Sequence, residues 1–287
     1  MMKTKLFIYA ALLVALGLFS SCDNKPNQVG LDEMEVVATA TTIGNSKLIS
    51  CDLTKLKDTL DLPLSYLVES LEIVKLDNRD EALVGNSLAT VTDNYILVKN
   101  NKHNPYKLFD KSGRFLTTIG SYGQGPNEYL NVYDDYMDEE NNRIYILPWQ
   151  TDKLLVYDLE GNAHQAIPLI HRVPKGRFYV DTQNKTVSVF LLPFSNIPVV
   201  AWTQDFEGNE IGSIPSGHLS VQPDYSNEVN SNKNSDAFDC SLFTFFELRP
   251  DSIYHYNTKD NILEPVFTLD FKNLTRKIHW YYELPNH

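Results

Sequence analysis

The stretch YKLFDKSGRFLTTI, residues 106–119, decides how the rest of the chain is read. Two short apolar segments flank Lys111-Ser112-Gly113. An Asp at the mouth of such a turn accepts hydrogen bonds from its own downstream backbone, and a Gly supplies the left-handed position that closes it. The arrangement returns three times. Residues 154–158 lead through Leu159-Glu160-Gly161 into 162–169, residues 199–205 through Phe206-Glu207-Gly208 into 209–214, and residues 253–257 through Thr258-Lys259-Asp260 into 262–271. In the last of these Asp260 stands where the glycine is expected. The opening residues Asp110, Asp158, Asp205 and Asn257 are spaced by 48, 47 and 52 residues.

Outward from these hairpins lie further turn candidates: Asp93-Asn94, Asn141-Asn142, Gln183-Asn184 and Arg249-Pro250-Asp251. Each unit then holds about four short strands, over 87–120, 131–169, 177–215 and 238–271. Helical periodicity is scarce after residue 65, and the apolar runs are rich in Val, Ile, Tyr, Phe and Thr. Four antiparallel strands at this period are the signature of a β-propeller blade, because a meander cannot bury both faces alone and must stack on its neighbours. The predicted fold class is all-β, a β-propeller of four-stranded antiparallel blades with about four blades visible. A β-sandwich with coincidental spacing is the competing architecture, and three concordant intervals favour the propeller.

The chain of 287 residues is 43% hydrophobic and 11% aromatic, enough to build a core without a staple. Its net charge of −12 argues against a nucleic-acid partner, which requires a basic face. Lys3 and Lys5 precede an apolar run over 6–19 and then Ser20-Ser21-Cys22. That is a secretory signal, too short to span a bilayer comfortably. The tetrad Phe19-Ser20-Ser21-Cys22 resembles a lipobox, with Phe in place of the usual Leu and Ser in place of Gly or Ala. The organisation expected is a lipoprotein signal peptide over 1–21, a polar tether over 22–47, and the propeller over 48–287. Lipidation at Cys22 would hold the protein to a membrane surface through acyl chains. Cys51 and Cys240 remain, either as a disulfide of the oxidising compartment or, on the plainer reading, as two buried free thiols.

The segment 120–129, Gly-Ser-Tyr-Gly-Gln-Gly-Pro-Asn-Glu-Tyr, resembles the Gly-x-Gly-Pro-Gly-Glu-Phe connector of NHL-type propellers, with Asn127 replacing a glycine. Together with the lipobox, the tether, the Asp-Leu-Thr-Lys-Leu lead-in at 52–56 and the strand expected over 70–77, the layout is similar to six-bladed NHL-like or TolB-like β-propeller lipoproteins of Gram-negative envelopes. The resemblance implies fold and a cell-envelope location, most simply the outer membrane, and carries no catalytic residues. Six blades at this period need more chain than is present, so the count points to a truncated six-bladed propeller or to one with fewer blades. Residues 71–76 would then be left as an open edge.

The chemistry-bearing residues are sparse. The glycines at 120–125 lack the Lys-Ser/Thr and the helix start of a phosphate loop, so no cofactor is expected. Asp134, Asp135, Asp138, Glu139 and Glu140 form the densest acidic cluster. Hard oxygens of this kind can ligate Ca²⁺, but no EF-hand spacing is present and the cluster reads as a solvated hairpin tip, so no metal site is assigned. The seven histidines, His103, His164, His171, His218, His255, His279 and His287, show neither HExxH nor helical i,i+4 pairing. His255 can face the axis or pack at a blade boundary. No Gly-x-Ser-x-Gly elbow occurs, and no catalytic residue is named. The polar insert 216–236 is expected to protrude as a long loop, a frequent carrier of binding. Asp58-Thr59-Leu60 and Asp251-Ser252-Ile253 resemble an O-glycosylation acceptor of bacterial envelopes. The function expected is a lipid-anchored envelope binding module for a protein or glycan partner. A metal-dependent hydrolase or lyase at the axis and a truncated, non-functional remnant are the alternatives.

Overall fold

The computed structural model describes residues 36–44, 46–57, 63–66, 68–85, 87–99, 104–234, 237–245, 251–272, 274, 279 and 281. Among them there are strands and short 3-10 turns and no α-helix. A hairpin of β1 (Ala38–Ile43) and β2 (Ser46–Asp52) comes first. The first sheet is β3 (Leu88–Val91), β4 (Tyr95–Lys99), β5 (Tyr106–Asp110) and β6 (Phe115–Ile119). A connector with the short parallel pair β7 (Ser121–Tyr122) and β8 (Glu128–Tyr129) leads to the second sheet. That sheet is β9 (Val132–Asp138), β10 (Arg143–Pro148), β11 (Thr151–Tyr157) and β12 (Ile167–Val173). The third is β13 (Gly176–Asp181), β14 (Thr186–Leu191), β15 (Val199–Asp205) and β16 (Glu210–Pro215). The fourth is β17 (Glu228–Asn234), β18 (Ala237–Phe243), β19 (Asp251–Asn257) and β20 (Ile262–Asp270). Within each of these four units the four strands form an antiparallel meander, and together the units are blades of a β-propeller.

The apolar residues lie between blades. Leu97, Leu108 and Ile119 of the first blade meet Met137, Ile144 and Tyr157 of the second. Tyr145, Leu147 and Val156 meet Phe178, Val189 and Trp202 of the third. Phe190, Leu192 and Val200 meet Val229, Cys240 and Tyr256 of the fourth. A blade covered on both faces needs apolar residues on both, which is why β15 is buried over six of its seven positions. The outward face of the first blade is covered by Val74, Leu76, Ala82 and Val84 packed on Ile96, Val98 and Phe109.

Turn chemistry follows the sequence with one correction. Asp110, Asp158 and Asp205 each accept from the backbone four residues on, at 3.0, 2.7 and 2.7 Å, and Gly113, Gly161 and Gly208 are left-handed at φ 87, 89 and 90°. In the fourth blade the left-handed residue is Asn261, not Asp260. Asn257 caps the amides of Lys259 and Asp260, as Asp138 and Asp181 cap Asn141 and Asn184 before the left-handed Asn142 and Lys185. The fourth blade's outer hairpin thus uses the turn that the second and third blades use on their inner one.

Further expectations are corrected. The fourth blade begins at Glu228 rather than at 238, because the Asn/Ser-rich run 228–234 pairs in register with β18; polar side chains do not prevent a strand whose backbone finds a partner. Arg249-Pro250-Asp251 is therefore not the counterpart of Asp93-Asn94, and its first two residues lie outside the described ones. The tether assigned to 22–47 contains strand: β1 lies within it and β2 overlaps its end. The last blade is joined by β2, running parallel to β20 from Ile49 opposite Phe267 to Asp52 opposite Asp270, and the open-edge strand expected over 71–76 is not formed. Residues 70–77 form no strand; they run past the first blade's turn, where the Asp77 amide donates to the Gly113 carbonyl at 2.7 Å. Neither Cys51 nor Cys240 is in a disulfide, as on the plainer reading of two thiols. Ser252 is buried within β19, while 58–60 lies outside the described residues.

Candidate functional site at the mouth of the axis

The first strand of each blade is the innermost. β3, β9 and β17 approach their neighbours along the axis, with β13 touching both β9 and β17, and all four border a cavity of about 550 Å³. Its charged groups are engaged between blades. Lys99 donates to the Val132 carbonyl at 2.6 Å, and Arg177 to the carbonyls of Tyr133 at 2.7 Å and Val229 at 3.0 Å. Asp134 accepts from the Phe178 amide at 3.0 Å, and Asp135 from Thr90 at 2.7 Å and the Tyr106 hydroxyl at 2.9 Å. Burial first, then the Asp135 carboxylate, raises the Tyr106 phenol well above its usual range. Burial lowers the Lys99 ammonium against the pull of Asp135. These bonds tie inner strands to one another.

A second cavity, of about 690 Å³, opens beside the start of β9 and is built from three blades. Pro148 ends β10 at a register shift, and the next two residues turn outward, with Gln150 left-handed at φ 53°. The Trp149 amide donates to the Asn131 carbonyl at 2.8 Å and the Gln150 amide to Pro174 at 3.3 Å, which fixes this turn against both neighbours. Lys175 stands between β12 and β13, and Tyr225 comes from the segment ahead of β17, whose first residue is Glu228. That segment does not protrude: Val221 is buried and donates its amide to the Pro193 carbonyl at 2.9 Å. Apolar Val221 anchors an otherwise polar run, so the loop lies back on the third blade and delivers Tyr225.

The electrostatics are self-contained. The Lys175 side chain is 4% exposed, and its ammonium donates to the carbonyls of Tyr225 at 2.7 Å and Asn227 at 2.8 Å and to Glu228 Oε1 at 2.5 Å. It also lies 5.5 Å from the Tyr133 ring centre. Burial acts to lower its proton affinity, but Glu228 and Tyr133 outweigh this and hold it above the usual lysine value. Burial raises the Tyr133 phenol, with Lys175 opposing. Over this base stand Trp149, 37% exposed, and Tyr225, 55% exposed. Their ring centres are 6.1 Å apart and their planes at 70°. Phe194 backs Tyr225 at 5.5 Å, and Gln150 Nε2 donates to the Tyr225 hydroxyl at 3.0 Å.

The residues singled out by sequence are dispersed. Cys22, His103 and His287 lie outside the described residues. The acidic run splits: Asp134 and Asp135 serve the axis, Asp138 caps its own turn, and Glu139 accepts from the Asn94 side chain. His164 meets Asp158 at 3.3 Å, His171 packs edge-on to Trp202, and His279 sits among Phe243, Phe271 and Tyr281. His255 is on the third strand of its blade, paired with Asp239 at 2.9 Å, and not on the axis. Among the described residues no group of three or more His, Cys, Asp or Glu gathers as metal ligands would. The connector glycines are structural. Gly120 is left-handed at φ 67°, and a Cβ there would lie 2.6 Å from Tyr129 and 2.8 Å from the Tyr157 hydroxyl. The mouth residues were not foreseen, because Trp149, Lys175 and Tyr225 lie on separate connections with no shared local pattern.

A family model described as a domain of unknown function, DUF4934, matches residues 48–286. The chain belongs to the DUF4934 family. The DUF4934 match begins inside β2, so it takes in the strand that joins the last blade as well as every residue of the mouth. No curated protein matches the chain. Among solved structures, a Bacteroides fragilis protein classed by name as exported is similar at 19% identity and a TM-score of 0.52, over 78% of this chain and 60% of that one. A Bacteroides vulgatus member of the duf4221 family is similar at 13% identity and a TM-score of 0.39, over 68% and 64%. The DUF4934 chain therefore spans less than two thirds of the length of either, and the B. fragilis likeness is one of fold.

Proposed function

We propose that this DUF4934 protein is a lipid-anchored binding module of the cell envelope that presents the mouth of its propeller axis to a protein or glycan partner. The observation that carries the reading is the 690 Å³ cavity. It has the size of a ligand site, exposes two aromatic rings, and has its ionic groups engaged with one another rather than poised for chemistry. The envelope location rests on residues 1–22 and agrees with the name of the B. fragilis neighbour. Attachment is through acylated Cys22, with the outer membrane as the site.

Two measurements test this. In cells, the full chain should incorporate labelled palmitate and sediment with outer membranes, and Cys22→Ser should do neither; a wild-type protein that stays soluble and unlabelled overturns the anchor. For binding, the detergent-solubilised full chain is exposed to the protein and glycan fractions of the envelope while acrylamide quenching of Trp149 is followed, with Trp149→Phe as the subtraction. One fraction should shield Trp149. Shielding by neither removes the mouth as the binding site.

A further inference from the structure

Resting on that reading of the mouth, we infer that its ligand is a neutral sugar residue stacked on Trp149 and Tyr225. A pyranose ring has an apolar C–H face and a rim of hydroxyls, and the negative face of an aromatic ring attracts such weakly positive C–H groups. The two exposed rings meet at 70° and form a corner, backed by Phe194, that is not free to collapse.

The polar groups around the corner suit hydroxyls. Gln150 uses its Nε2 on Tyr225 and retains a carbonyl oxygen as acceptor. Glu228 meets Lys175 through Oε1, and its Oε2 has no partner among the described residues. Asn131 lines the same cavity with a side-chain amide that both donates and accepts.

Charge argues against anionic and cationic ligands. An ammonium has three protons, and those of Lys175 are met by Tyr225, Asn227 and Glu228, so none is left for a carboxylate or phosphate. A cationic ligand would seek an aromatic face with a free carboxylate. Here Lys175, at 2.5 Å from Oε1, balances the Glu228 charge, so Oε2 offers a hydrogen-bond acceptor rather than an uncompensated negative charge. A polar but uncharged ring suits both the aromatic corner and its compensated charges.

The test uses the full-length, detergent-solubilised protein and follows Trp149-dependent fluorescence, again with Trp149→Phe subtracted. The probes are mannan, cellohexaose, xylohexaose, maltohexaose and galactan as neutral sugars, with polygalacturonate and chitosan as anionic and cationic counterparts. At least one neutral probe should bind saturably, and Trp149→Ala and Tyr225→Ala should each weaken it about tenfold or more. Trp149→Phe, read by calorimetry, should retain more binding than Trp149→Ala, with melting curves confirming the fold of each variant. The inference is overturned by failure of every neutral probe, by tighter binding of either charged polymer, or by full binding in Trp149→Ala. If an envelope protein fraction shields Trp149 while no sugar binds or competes, the sugar falls and the mouth stands as a binding site. If nothing shields Trp149, both fall.

Discussion

At Gly113 two constraints coincide. Its φ of 87° is left-handed, and a Cβ there would lie 2.3 Å from the Lys75 carbonyl oxygen, since residues 74–77 run directly over the turn. Gly208 shares the conformation at φ 90°, but its Cβ would meet nothing nearer than the Pro168 Cγ at 3.4 Å. Gly208→Ala should therefore cost about 1–2 kcal/mol of stability, the left-handed term alone. Gly113→Ala should cost more, up to about 3 kcal/mol, because backbone must move as well. Urea denaturation of the two variants checks the order; equal losses would mean that the segment over the first blade yields freely. The thiols carry a second expectation at this scale. Cys51 and Cys240 sit on strands three spacings apart in one sheet, about 14 Å, beyond disulfide range. Both should alkylate in denaturant without prior reduction, and Cys240, buried at 1% exposure, should react in the native protein far more slowly than Cys51.

Among the elements, the β1–β2 hairpin stands out because it joins the last blade by a parallel ladder flanked by polar side-chain bonds. Its long-range ties among the described residues include the parallel ladder to β20, the Ser46 hydroxyl donating to Glu264, and the Lys272 ammonium on Asp52. Hydrogen bonds from Lys272, then from Thr54, hold the Asp52 carboxyl at about 2, below its ordinary 3.8. A folded-state value below the unfolded one contributes stability in full above the unfolded value and loses it as pH falls toward the folded one. The hairpin should thus be firm at pH 5–7 and loosen between about pH 4 and 2. Hydrogen exchange of the β2 amides at constant temperature, corrected for intrinsic rates, should show this, and Asp52→Asn should remove most of the pH dependence while leaving the β13–β14 amides unchanged. Equal acid sensitivity in wild type and Asp52→Asn would place the cause elsewhere.

For the whole molecule, what the sequence determined by itself is local. Asp or Asn followed at a fixed offset by a residue able to turn left-handed marks the hairpins, since that chemistry sits within five residues of chain, and its repeat at 48, 47 and 52 residues identifies blades. The alternation of short apolar segments then requires stacked sheets. The polar strand β17 escaped this reading because its pairing with β18 rests on backbone bonds that composition does not reveal. The strand that joins the last blade escaped it too: β2 lies more than 200 residues from β20, and a parallel partner has no turn to announce it. The mouth was decided by tertiary structure alone. Trp149, Lys175 and Tyr225 come from three separate connections, and each is unremarkable in its own neighbourhood. They meet because the inner strands of neighbouring blades converge on one axis, bringing the connections at their ends together, and no periodicity along the chain encodes that convergence.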